Sequence, residues 1–113
     1  MLILYGIKNC DTCRKASAWL TAHDHPHRLH DLRTDGVDAA QVKSWADRLG
    51  WESLLNRKST TWRGLADADK SGIDHDKALA LMLTHPTLIK RPVLSTGVKL
   101  VLGFSADRYA EAL

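Results

Sequence analysis

The chain lacks a long apolar run, a second pair of cysteines and any block of basic residues. Each absence removes a class of protein. A membrane helix needs about 20 consecutive apolar residues, and nothing here approaches that, so a membrane protein is not expected. After Met1 the sequence passes directly into Leu2-Ile3-Leu4-Tyr5, with no basic n-region and no cleavage site. Export is therefore not expected, and the cytoplasm is the default compartment. Lysine and arginine are interleaved with aspartate and the net charge is only +3. That is the pattern of a solvated surface, and it gives no indication of direct nucleic-acid binding. There is no internal repeat, low-complexity tract or linker. With 113 residues, 44% of them hydrophobic and 26% charged, the chain reads as one globular domain, 1–113.

What is present has a clear order. Leu2 to Gly6 is short, apolar and strand-like, and Gly6-Ile7-Lys8-Asn9 breaks it. From Cys10 the pattern turns helical, with Cys13, Ala16, Trp19 and Leu20 on one face. His23 to Pro26 ends that helix, because proline cannot continue it. Arg28 to Leu32 reads as a second strand, and strand, crossover helix and strand together imply parallel pairing. Val42, Trp45, Ala46 and Leu49 form a helical stripe that closes at Gly50. Trp51 to Leu55 suggests a further helical turn, and the polar residues 56–64 a loop. Asp74 is placed to cap a helix that ends at Pro86, with Leu79, Met82 and Leu83 as its apolar face. Val93 to Ser95 and Leu100 to Leu102 flank Thr96-Gly97 as an antiparallel hairpin. Ser105 then caps a last helix carrying Tyr109 and Leu113.

The cysteines are Cys10 and Cys13, in Cys10-Asp11-Thr12-Cys13, where a strand gives way to a helix. In a reducing compartment such a pair points to redox chemistry or metal binding. At a helix mouth the free N–H groups and the positive end of the dipole stabilise an anion. Lys8, Arg14 and Lys15 add positive charge nearby and Asp11 partly opposes it, so a thiolate is favoured at Cys10. Cys13, one turn on, could resolve a mixed disulfide formed at Cys10. The plainer alternative is that both are small, half-buried helix residues. For zinc, one C-x-x-C supplies two ligands where a structural site needs four. His25 and His27 could chelate weakly but read better as solvated residues, so no metal is assigned. Neither Arg91 nor the cations Arg57 and Lys58 can be given a role from spacing alone.

Tyr5-Gly6-Ile7-Lys8-Asn9-Cys10-Asp11-Thr12 with Arg14-Lys15-Ala16, Leu54-Leu55-Asn56 with Thr60-Thr61-Trp62-Arg63, Leu88-Ile89-Lys90-Arg91-Pro92-Val93 and Leu102-Gly103-Phe104-Ser105 together resemble the ArsC/Spx/YffB-like family, above all its YffB branch. The resemblance implies an α/β, thioredoxin-like fold, a four-stranded mixed sheet with an inserted helical subdomain at about 36–86. It implies that Cys10 is the reactive thiol, with Pro92 as a cis-proline facing it. Arsenate reductases of this superfamily surround the cysteine with three arginines. Here Arg91 keeps one position, Asn56 takes a second with Arg57 and Lys58 beside it, and the third falls near Lys99. The function implied is a glutathione-dependent thiol–disulfide oxidoreductase acting on small or protein disulfides. Cys10 would be the nucleophile, Cys13 a resolving thiol, and Lys8, Asn9, Thr12, Arg57, Lys58, Arg91, Pro92 and Lys99 the substrate-binding set. No bound cofactor is expected, and glutathione would be the cosubstrate. One alternative is a Spx-like redox-sensing regulator that binds the RNA polymerase α-subunit; a second is an arsenate reductase.

Overall fold

Strand β1 (Leu2–Gly6) is apolar along its whole length because it lies inside the sheet, with a neighbour on each side. It pairs in parallel with β2 (His27–Asp31) and antiparallel with β3 (Val93–Ser95), and β3 pairs antiparallel with β4 (Leu100–Leu102). The result is a four-stranded mixed sheet in the order β2-β1-β3-β4. The computed structural model describes residues 2–113. Strand β2 starts and ends one residue earlier than the sequence pattern suggests. Leu32 is fully buried and its N–H still reaches Gly6 O at 2.8 Å, but the chain is already turning there. Its apolar side chain fills the core beneath a turn, which mimics a strand residue in the sequence.

Two compact units are formed, one from the residues through Asp35 together with Arg91–Leu113, the other from Gly36–Lys90. In the first, helices α1 (Asp11–Ala22) and α7 (Ala106–Ala112) complete the sheet. Leu4 and Leu94, which are cross-strand partners, pack against Ala16 and Leu20 of α1 and Tyr109 of α7, with Leu2, Trp19, Val101 and Phe104 around them. Both helices thus share one face of the sheet. Tyr109 is the pivot. Its ring meets Trp19 and Phe104 edge-on, with centroids 5.7 and 4.9 Å away, and its hydroxyl donates to Gly103 O at 3.1 Å. Burying an apolar side chain of this size stabilises by about 1.5–3 kcal/mol. Leu113 falls outside α7 and is exposed, so Tyr109 anchors that helix without it.

The second unit contains α2 (Ala39–Leu49), α3 (Trp51–Leu54), α4 (Thr60–Arg63), α5 (Asp67–Lys70), α6 (His75–Thr84) and a 3-10 turn at Pro86–Leu88. Asp38 and Asp74 cap α2 and α6 by accepting from Gln41 N and Lys77 N at 2.7 and 2.8 Å. Gly50 ends α2 at φ 88°, a conformation that favours glycine. Val42, Trp45 and Ala46 of α2, and Ala78 and Met82 of α6, are buried. The expected face of α6 is therefore rotated, since Leu79 and Leu83 are only half-buried and Ala78 lies against the core. Residues 56–64, expected as a loop, contain the single helical turn α4, initiated by Ser59 Oγ accepting from Trp62 N at 3.1 Å. Leu55 and Ile89 form a bridge flanked by Asn56 N to Leu88 O and Lys90 N to Leu54 O, both 2.8 Å. Among the described residues no helix is long and apolar enough to cross a membrane.

Candidate active site

Cys10 is the N-cap of α1, with extended backbone (φ −117°, ψ 116°), and its Sγ accepts from the Cys13 backbone N–H at 3.4 Å. Serine, threonine, aspartate and asparagine usually fill this position; here the acceptor is sulfur. A thiolate accepts such a bond better than a thiol, so the cap and the charge reinforce each other. Burial alone would raise the Cys10 pKa. Hydrogen bonds from the Cys13 thiol and backbone, followed by the hydrogen bond and charge of Arg91, outweigh it and hold Cys10 below the ordinary cysteine value. Cys13 moves the other way. Burial first, then the hydrogen bond to Cys10, push its thiol up to about 12. Both cysteines are free thiols.

The cation that matters is not one of those adjacent in sequence. Arg14 is turned to Asp11, its salt-bridge partner one turn back, and Lys8 is exposed. Arg91 sits next to Pro92 at the start of β3, and the Arg91–Pro92 peptide bond is cis. Pro92 is buried and its carbonyl accepts from Gly103 N at 2.8 Å. Strand β3 begins at the end of the sheet where β1 finishes, because Val93 pairs with Tyr5. That pairing brings Arg91 to Cys10 from far along the chain.

Lys8 and Asn9 are exposed on the short loop leading into Cys10, and Thr12 is exposed on the first turn of α1. The backbone donor that reaches the Cys10 sulfur is the Cys13 N–H. Lys99, expected among the substrate-binding residues, lies apart from this group. It lies in the turn between β3 and β4, where its N–H donates to Thr96 Oγ1 at 2.9 Å. That turn follows Ser95, the partner of Ile3, at the opposite end of the sheet from Cys10. Five-residue β1 spans roughly 13 Å between the two ends. Asn56, Arg57 and Lys58 belong to the second unit. Asn56 Oδ1 accepts from Lys58 N at 3.0 Å, and the Arg57 guanidinium stands 5.8 Å from the rings of both Trp51 and Trp62.

Two positioning residues are not marked by the sequence pattern. A Cβ at Gly6 would lie 2.6 Å from Cys13 Sγ and 3.2 Å from Cys13 Cβ, so only glycine lets α1 approach β1 this closely. Asp31 ends β2 and accepts from Lys8 N (3.1 Å), Arg33 N (2.8 Å) and Thr34 N (2.9 Å). It thus ties the loop before Cys10 to the turn after β2. The signals that could have found them are a glycine ending an apolar strand, and an aspartate three residues before Thr34-Asp35-Gly36. The histidines around the α1–β2 connection have partners of other kinds. His27 bonds Ser17 Oγ at 2.8 Å, His23 stacks on Trp19 at 4.0 Å, and among the described residues no cluster could hold a metal ion.

This is a thioredoxin-like α/β fold that presents a cysteine at the mouth of its first helix. Residues 5–112 match the ArsC family, and the chain belongs to it. It is 44% identical to a solved YFFB protein, with a TM-score of 0.97 over 100% of this chain and 99% of that one. It is 41% identical to the solution structure of an arsenate reductase (ArsC) related protein from Brucella melitensis, with a TM-score of 0.78 over 97% and 92% of the two chains. The global transcriptional regulator Spx of Lactiplantibacillus plantarum is 28% identical over 109 residues, covering 95% of this chain and 82% of that protein.

Proposed function

We propose that the protein is a glutathione-dependent thiol–disulfide oxidoreductase with Cys10 as its nucleophile. The observation that carries this reading is the Cys10 sulfur capping α1, stabilised as an anion by the Cys13 N–H and by Arg91. Acting on a glutathione mixed disulfide, the Cys10 thiolate attacks the glutathionyl sulfur. The new Sγ–S bond forms as the old S–S bond breaks, and the departing thiolate leaves with the electron pair and takes a proton. The thiolate of a second glutathione then attacks the same glutathionyl sulfur. This releases glutathione disulfide and restores the Cys10 thiolate. Arg91 offers a planar fork for a substrate carboxylate as well as for the thiolate.

Cys13 has a second course open to it. While Cys10 is a thiolate, Cys13 stays protonated and serves as a donor. Once Cys10 is in a mixed disulfide, its negative charge is gone, and one of the causes that raise the Cys13 pKa goes with it. Cys13 can then attack Cys10 Sγ, expel glutathione and leave an internal disulfide for two external thiols to reduce. Turnover of a hydroxyethyl–glutathione mixed disulfide, coupled to consumption of glutathione, tests the reading. Activity retained in Cys10→Ser would refute it.

The relationship to a protein named as a transcriptional regulator supports a second reading, in which the same pair is a redox switch and the partner is the carboxy-terminal domain of the RNA polymerase α-subunit. Binding of that domain that changes on oxidation of the Cys10–Cys13 pair, in the absence of any turnover, would favour it over the enzyme.

A further inference from the structure

An apolar cavity of about 520 Å³ opens between α1 and β2, walled by Leu4, Ile7, Cys13, Ala18 and Leu29. Leu29 forms its outer wall and is 63% exposed, an unusual place for leucine on a strand. Strand β2 lies at the edge of the sheet, so its outer backbone groups have no strand beside them. The direction of those groups follows from the pairing. Leu32 N donates inward to Gly6 O, so by alternation the N–H and C=O of Leu29 and His27 point outward. The N–H of Asp31, on the same outward side, turns to the Asp35 carboxylate at 3.0 Å. The edge open to a partner is therefore short and centred on Leu29.

Charge says which partner fits. Arg28 is exposed beside Leu29, and Lys8 and Arg33 line an adjoining polar recess. None of the three is in an ion pair among the described residues. The carboxylates of Asp31 and Asp35 also line the cavity, but Asp31 accepts from three backbone N–H groups and Asp35 from the Asp31 N–H, while Asp11 pairs with Arg14. We propose that β2 and the cavity beside it form a docking site for an extended acidic peptide segment, which adds to the sheet edge and seats one apolar side chain against Leu29. Main-chain bonds to the edge supply affinity in this mode, and the cavity and cations supply the preference. A second copy of this chain fits less well. Antiparallel pairing of two β2 strands about Leu29 would set Arg28 of one copy opposite His30 of the other, with no carboxylate between them.

The test is a phage-displayed random dodecapeptide library panned on the full chain, followed by titration of the selected peptides into isotope-labelled protein. The expected result is enrichment of sequences with an apolar residue flanked by Asp or Glu. Their binding should shift the Leu29 amide, weaken with added salt and drop at least tenfold in Leu29→Lys. In the double variant Arg28→Glu/Arg33→Glu the acidic preference should be lost. Because Leu29 is exposed, Leu29→Lys should keep its fold, and its Cys10 alkylation rate should equal that of the wild type. That comparison separates failure of this site from failure of the thiol chemistry. Failure to enrich any sequence, selection of basic or neutral peptides, binding that survives Leu29→Lys, or a Leu29-dependent dimer would each overturn the proposal.

Discussion

Cys10 and Cys13 are three residues apart and are pushed in opposite directions by one shared geometry. The Cys13 S–H and N–H stabilise a thiolate at Cys10, while burial and then the bond of that same thiol to Cys10 push the Cys13 pKa up to about 12. At pH 7 iodoacetamide should therefore alkylate Cys10 far faster than Cys13, and the Cys10 rate should stay high below the pH at which an ordinary cysteine slows. Replacing Arg91 by methionine removes a hydrogen bond and a charge from the thiolate. It should raise the Cys10 titration midpoint and slow its alkylation several-fold at neutral pH, a change that a rate-versus-pH series reads directly. Gly6 makes a separate demand. An added methyl meets Cys13 Sγ at 2.6 Å, so Gly6→Ala should cost about 1–3 kcal/mol as an overpacked contact. In urea titrations Cys13→Ala should recover part of that loss, giving a non-additive pair. The placement of Cys10 was legible in the sequence because a strand breaker precedes it and a helical stripe follows. Its cation was not legible from spacing and came only with the family resemblance, because charges near in sequence compete for local partners, as Arg14 does with Asp11, while the sheet brings in Arg91.

At the scale of elements, two polar clusters tie segments together and make stability depend on pH. Backbone N–H groups of Thr34, Arg33 and Lys8 hold the Asp31 carboxyl below the usual carboxylate range. Its contribution is complete above the unfolded value near 4 and is lost as pH falls through the lower folded value. Asp31→Asn should therefore lower the melting temperature at pH 7, and the difference from wild type should shrink toward pH 2. In the second unit His75 Nδ1 meets Asp76 at 3.0 Å and Nε2 meets Asp47 at 3.2 Å, and both carboxylates raise its pKa. A raised histidine stabilises fully below its unfolded value near 6.5 and stops doing so as pH rises through the folded one. Thermal melts of His75→Gln should fall below wild type at pH 5.5 and coincide with it at pH 8.5. The strands, α1, α2 and α6 were readable from alternation, caps and breakers. Helices α4 and α5 were not, since a four-residue helix shows no period and depends on a cap such as Ser59 and on its surroundings.

At the scale of the whole molecule, membership of the ArsC family and the thioredoxin-like fold frame which substrates suit the site. Arsenate is a compact, doubly charged oxyanion, best stabilised by several guanidinium forks converging on one point. Of the positions that the family resemblance assigns to such cations, only Arg91 carries arginine, Asn56 is committed to its own turn, and Lys99 lies at the far end of the sheet. Each charge-assisted bond missing from a transition state costs about 1.5–3 kcal/mol, or one to two orders of magnitude in rate. Disulfide exchange depends chiefly on the thiolate and on access to it. Side-by-side assays with glutathione should therefore give turnover of mixed disulfides well above that of arsenate. The central claim, that Cys10 is the attacking thiol, is tested most directly by a single-turnover reaction with a glutathionylated peptide, quenched with acid and read by intact-protein mass spectrometry. Wild type and Cys13→Ser should both release the peptide thiol, and Cys13→Ser should carry one glutathione on Cys10. Cys10→Ser should release none. Release of the peptide thiol by Cys10→Ser, or glutathione found on Cys13 in the wild type with Cys10 free, would contradict the account.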